Sequence, residues 1–303
     1  MRSNRRRVSG IALAAIGLAA WTAGCDSDVS PILGTEQPFT LFGVVSPQLD
    51  TQRVLVFPIQ DRLQQLSGEA LDARFVWTDT ETGIESAWQD SIVPQADGTV
   101  VHLYWVAGAA AYGRTYDVRV ATPAGDAETQ VTVNVPPTNV VEIGEPSGIS
   151  GVIVPVLVRG DLPNLLKIEL EYGFDYTQTT VGEKLESLIL PYDEQASRTA
   201  DGWLIQVNLV RDYRTILDYI RSQRSMDLAK GVQLRGIQLR FLVANAEWNP
   251  PDGVFDPEVL VQPGTMSNVN NGFGFIGAGY RTVQNWLPAD SIANAAGFRQ
   301  GER

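Results

Sequence analysis

Apolar and polar residues alternate with a period of two over most of this chain, which is the signature of half-buried β-strands. Phe39-Thr40-Leu41-Phe42-Gly43-Val44-Val45 and Gln52-Arg53-Val54-Leu55-Val56-Phe57-Pro58-Ile59 flank Ser46-Pro47 and Leu49-Asp50, a pattern that predicts a hairpin. Ala73 to Thr78, Ser86 to Val93 and Val100 to Val106 read as further strands. Tyr116 to Ala121 and Thr129 to Val135 alternate around the turn Thr122-Pro123-Ala124-Gly125-Asp126, and Pro136-Pro137 closes the run. About seven short strands with regular turn signals over about 100 residues predict an immunoglobulin-like β-sandwich over 38–137. Pro136, Pro137, Gly144, Pro146 and Gly148 mark a boundary. Strands then resume at Val152 to Val158, taken as an edge strand because of Pro155. Leu166 to Tyr172 (with Lys167, Glu169 and Glu171 outward), Leu185 to Leu190, Trp203 to Val210 and Ile237 to Val243 follow, giving a second β-rich domain over 138–303.

The period changes once. Tyr213, Ile216, Leu217 and Ile220 lie on one face at 3.6-residue spacing, predicting an amphipathic helix over about 212–229. Asp212 is its expected N-cap, Arg221 and Arg224 suit its C-terminal end, and Gly231 follows its stop. The fold class is therefore mainly β, with one helix packed on the second sheet.

The first 24 residues depart from both patterns. Arg2, Arg5, Arg6 and Arg7 precede an apolar run from Val8 to Ala23, too short to span a bilayer, as in a secretory signal peptide. The run ends in Thr22-Ala23-Gly24-Cys25, which resembles the lipobox of bacterial lipoproteins, with Thr22 where an aliphatic residue is usual. The resemblance implies cleavage before Cys25 and lipid on its thiol. Cys25 is the only Cys of the chain, so no intramolecular disulfide competes for it. Residues 25–37 read as a flexible tether. Asp26 and Asp28 directly after the cysteine fit a surface-export signal, an inner-membrane retention signal or a plain solvated spacer.

Charge narrows the function. Loss of residues 1–24 takes four Arg from 23 Lys+Arg and none of the 35 Asp+Glu, moving the formal charge from −12 to about −16. Nucleic-acid binding is disfavoured, since phosphates need a basic patch. One His and one Cys exclude most zinc sites by ligand count. Gly272-Phe273-Gly274-Phe275-Ile276-Gly277 spells G-x-G-x-x-G, but a turn-type sequence precedes it and no helix follows, so it reads as a glycine-rich strand or loop in close backbone contact rather than a dinucleotide site. His102 reads as a strand residue with a partly exposed face. Asp26 with Asp28, and Asp252 with Asp256, supply oxygens in principle for Ca2+ but lack ligand-loop spacing. No catalytic residue, cofactor site or metal site is assigned. Trp77, Trp88, Trp105, Trp203, Trp248 and Trp286, with Tyr104, Tyr172 and Tyr280, are expected mostly in the core; an exposed strip of them would suit a glycan surface.

Several pieces together resemble a lipoprotein family of Bacteroidota-type bacteria, described as a domain of unknown function and often encoded beside TonB-dependent transporters. They are the lipobox at Cys25, Leu41 to Ser46 with Arg53 to Val56, Gly113 to Val120 leading to Val135-Pro136, and Ser267 to Gly277, where Phe273 and Ile276 replace the family's Leu and Phe. The resemblance implies a non-enzymatic envelope lipoprotein, held in the outer membrane by its lipid, acting as a binding or accessory component of an uptake or assembly complex with a transporter or envelope protein. It carries no catalytic residues over. A surface glycan- or peptide-binding lipoprotein and an extracytoplasmic hydrolase are the alternatives.

Overall fold

The computed structural model describes residues 37–59, 69–96, 100–148, 152–178, 182–223, 231–248 and 267–299. Cys25, Asp26, Asp28, Arg224, Asp252 and Asp256 lie outside these residues, as do most of the tether and the last turns expected of the helix. The structure is mainly β, as the alternation predicts.

The first half is a two-layer sandwich. One layer has β1 (Phe39–Val45), β2 (Thr51–Pro58), β6 (Val100–Ala107) and β5 (Gln89–Pro94) in the order β1-β2-β6-β5. The other has β3 (Arg74–Asp79), β4 (Glu85–Ala87), β7 (Thr115–Ala121) and β8 (Glu128–Asn134) in the order β4-β3-β7-β8. This partition of consecutive strands is that of an immunoglobulin-like fold. Two details agree. Trp77 of β3 is buried and stacks on Tyr116 of β7 at 4.3 Å between centroids. The Tyr116 hydroxyl accepts the Ala111 N–H at 2.9 Å, the upstream bond of a tyrosine corner. The single strand expected over Ser86–Val93 is two strands, because the chain crosses between layers at Trp88, whose ring is buried against Phe75 and Trp77.

The second half is another sandwich. Its smaller layer runs β13-β14-β10-β9, with β9 (Val140–Ile143), β10 (Ile153–Arg159), β13 (Ala196–Thr199) and β14 (Gly202–Asn208). Its larger layer has β12 (Gly182–Pro191), β11 (Asn164–Gln178), β15 (Val232–Ala244) and the last strand, β16 (Phe273–Trp286). β10 is an inner strand, not the edge strand that Pro155 suggested. The Pro155 carbonyl accepts from Gly144, just past the end of β9, so the missing N–H falls where the ladder stops. Residues expected to be only a boundary thus supply β9. Lys167 points outward as expected, but at a bulge with φ 50°.

The helix α1 spans Leu209–Gln223 and buries Ile216 and Ile220 in the core that both layers of the second sandwich share. It starts earlier than expected, and Asp212 is not its cap. Asn208 accepts the Arg211 N–H at 3.0 Å, while Asp212 sits in the first turn with its side chain in the core. A short helix, α2 (Asp290–Ala296), follows β16, and Phe298 beyond it packs on Tyr213 of α1.

β16 belongs to both sandwiches. Phe273–Ala278 pair in parallel with β1, and Gly279–Trp286 pair antiparallel with β15. One strand therefore joins two layers into an eight-stranded sheet, β12-β11-β15-β16-β1-β2-β6-β5, across the sequence boundary at 137/138. The G-x-G-x-x-G segment makes the first of these junctions. A Cβ on Gly272 would lie 2.5 Å from Thr129 Cγ2, one on Gly277 would lie 2.6 Å from Trp248, and Gly274 has φ 96° with its vacant Cβ position against the Leu41 carbonyl. Gln48 adds a second tie, its amide exchanging two hydrogen bonds with the Arg281 backbone at 2.8 and 3.0 Å.

Candidate functional site

The site that stands out is a hollow on the outer face of the second sandwich. Along β11, Leu170, Tyr172 and Phe174 point into the core, so Glu171 and Gly173 face outward. On β15, Gly236 pairs with Gly173, and Gln238 pairs with Glu171. Both strands are interior, where Gly costs stability and adds no packing. Here neither backbone geometry nor space demands it. Neither glycine has positive φ, a Cβ on Gly236 would have no heavy atom within 4 Å, and one on Gly173 would meet nothing nearer than 3.9 Å. The two absent side chains leave an open groove of about 530 Å3 lined by Glu171, Arg235, Gln238, Asn285, Trp286 and Leu287.

Charge and amide groups frame this floor in fixed pairs. A bulge makes Arg235 an extra residue between Gly236 and Leu234, and its guanidinium is ion-paired with Asp175. Arg240 pairs with Glu171 across the strands. Gln238 donates to Asn285 at 2.8 Å and accepts from Arg240 at 2.5 Å. A second hollow of about 460 Å3, lined by Asp175, Glu183, Lys184, Leu185 and Arg235, adjoins across Arg235. Exposed Leu185, Ile189, Val283 and Leu287 complete a face of mixed character. Such a surface can hold a ligand through amides, guanidinium edges and aliphatic contacts. Both of its central carboxylates are occupied by arginines.

Other candidates resolve differently. His102 is buried rather than partly exposed, and its Nδ1 lies 2.9 Å from Asp90, whose same oxygen accepts the Leu71 N–H at 2.8 Å. With Tyr104, whose hydroxyl donates to Leu71 and Ala73, this set pins the strand entry at residues 71–73. Burial first, and then the Asp90 charge, raise the Tyr104 pKa. Asp212 is fully buried and accepts hydrogen bonds from Tyr172 at 2.5 Å, from Tyr192, and from Arg211 at 3.0 and 3.1 Å. Burial raises the pKa of Asp212 against those donors, and burial followed by the Asp212 charge raises both tyrosines. The set fastens α1 to β11 inside the core. Among the described residues no group of three or more His, Cys, Asp and Glu could hold a metal ion, and no helix is long and apolar enough to cross a membrane.

The tryptophans form no single strip. Trp77 and Trp88 are in the first core, and Trp105, Trp203 and Trp286 are half-buried on three different strands, with Trp248 half-buried in the loop after β15. Of the groove residues, sequence reading noted only Glu171 as outward and Trp286 as aromatic. The available signal was Gly173 and Gly236, each a lone Gly inside a strongly alternating strand.

Neither a family model nor a curated protein matches the chain. Among solved structures it is similar to the C-terminal globular domain of an oligosaccharyltransferase from Pyrococcus abyssi, at 10% identity and a TM-score of 0.21. The match covers 67% of this chain and 46% of that one, so this chain spans under half of that structure's length. A likeness this slight carries neither fold nor activity across.

Proposed function

We propose that this chain is a non-enzymatic envelope lipoprotein, anchored through lipid on Cys25, that serves as a binding or accessory component at the outer membrane. The observation that carries the binding role is the pair of unforced glycines, Gly173 and Gly236, which hold a groove open at a cost in stability. The groove lies on the second sandwich, far along the chain from Cys25, and β16 joins that sandwich to the first through continuous hydrogen bonding. An anchored body of this kind presents its groove on a stiff support. The carboxylates beside the groove, Glu171 and Asp175, are each tied to an arginine, which suits recognition better than proton transfer. The partner in this reading is an envelope protein such as an outer-membrane transporter.

Two experiments in the native host test the reading. Alkyne-palmitate labelling and membrane fractionation of wild type and Cys25→Ala test the anchor: the wild type is expected to label and sediment with membranes, and the variant to do neither. Equal labelling of both sinks the anchor. A photo-crosslinking residue at Gln238, in the groove, is expected to capture an envelope partner, whereas one at Thr132, on the first sandwich, is not. Matching results at the two positions remove the groove from the account.

A further inference from the structure

The eight-stranded sheet ends at β12, which is ten residues long and has no partner on its outer side among the described residues. The other sheet edges are less open. β4, β9 and β13 have three or four residues, β5 has six and ends in Pro94, and β8 is partly covered by the bridge from Gln130 to Asn270. β12 also exposes Leu185 (69%) and Ile189 (47%), two residues on either side of Ser187. A long edge strand with exposed aliphatics is a surface for strand addition.

The hydrogen-bonding phase of this edge can be read from the chain. The Tyr192 N–H donates to the Ile168 carbonyl at 2.7 Å, so residue 192 faces β11. The β11–β12 register is unbroken over its length. Alternation along an antiparallel ladder then turns the N–H and C=O groups of residues 183, 185, 187 and 189 to the free side. An added antiparallel strand must offer matching groups at the same two-residue spacing.

We infer that β12 pairs antiparallel with β12 of a second copy of this chain, about a twofold axis at Ser187. In this register Ser187 faces Ser187 of the second copy, and Leu185 faces Ile189 on both sides of the axis. The three facing pairs exchange six backbone hydrogen bonds, and each exposed aliphatic residue gains an aliphatic neighbour. The small Ser187 side chains meet on the axis itself. An axis at Glu186 would instead set like charges face to face. An axis at Leu185 would set Ser187 opposite Glu183 and carry Ile189 past the Gly182 end of the facing strand.

Charge also permits the contact. The chain is strongly acidic, yet the carboxylates at this edge are neutralised within the same copy: Glu183 by Arg299 at 3.3 Å, Glu186 by Lys184 at 2.7 Å, and Asp175 by Arg235. Pro191, which lacks an N–H, faces Glu183 at the end of the ladder, outside the three central pairs. The contact needs no lipid and does not depend on the anchor.

The test uses the full chain with Cys25→Ala, so that any added thiol is the only one. Sedimentation equilibrium in mild detergent is expected to show a monomer–dimer equilibrium. Ser187→Cys is expected to oxidise to a disulfide-linked dimer, since facing Cα atoms in a hydrogen-bonded pair lie about 5.5 Å apart, within disulfide range. Glu183→Cys is expected to stay monomeric under the same oxidation, because the axis separates its two copies by about 27 Å. Ser187→Pro removes an edge N–H and nothing from the β11 ladder, and is expected to weaken association by about tenfold or more. A wild type that stays monomeric at every concentration, equal crosslinking at 183 and 187, or a dimer unmoved by Ser187→Pro overturns the proposal.

Discussion

Glycine is used in opposite ways at the two places where the eight-stranded sheet is most distinctive. At the junction with the first sandwich, Gly272, Gly274 and Gly277 sit where a side chain cannot go: against Thr129, the Leu41 carbonyl and Trp248. In the groove, Gly173 and Gly236 sit where a side chain fits. The first set lets β16 approach β1 closely enough to join two sandwiches. The second set adds nothing to the fold and shapes an exterior surface. A glycine's meaning is therefore carried by what its missing Cβ would meet, and the sequence alone does not show that.

The largest effect is expected at the junction. Gly274→Ala would drive a Cβ into backbone at a φ of 96°, so it should cost about 3 kcal/mol or more. Urea unfolding reads this directly, and a midpoint unchanged from wild type would break the first half of the comparison. Next comes the buried carboxylate that fastens α1. Asp212→Ala leaves two buried tyrosine hydroxyls without their acceptor, a cost of about 3 kcal/mol by the same assay.

The network also fixes a pH dependence. Tyr172 and Tyr192 have pKa values raised above the ordinary 10.0 by burial and by Asp212. The unfolded chain therefore loses these protons first as pH rises, and the folded chain keeps them. Their contribution is full below pH 10 and is lost above it, so stability should fall in the alkaline range. Tyr172→Phe should make that fall shallower in pH-resolved thermal melts, and an equal slope would show that the tyrosine does not titrate on unfolding. Tyr116→Phe removes a single hydrogen bond of the first sandwich and is expected to cost about 1 kcal/mol. The smallest effect belongs to the groove, where Gly173→Ala should leave stability unchanged or raise it by up to about 1 kcal/mol.

Much of the fold was legible because strands announce themselves by alternation. The hairpin of β7 and β8 buries Tyr116, Val118, Val120, Val131 and Val133 as the pattern requires. What was not legible depends on contacts distant in sequence. Nothing local to Phe273–Ala278 says that these residues pair with Phe39–Val45, more than 200 positions away. Asp212 looked like a cap because an acid before an amphipathic run usually is one, and only the fold brings Tyr172 and Tyr192 onto it. Ser86–Val93 read as one strand because its break is made by a buried Trp88 and not by Gly or Pro. The groove escaped because its residues come from three strands, and its floor consists of side chains that are missing.

The most direct test of the account is the thermal midpoint of Gly236→Ala beside wild type. If this glycine is kept for the surface it opens, the midpoint will stay level or rise, because Ala restrains the unfolded strand and meets no atom within 4 Å in the folded one. A midpoint lowered by several degrees would contradict that claim, showing that the fold requires the glycine and that the groove is a by-product of folding.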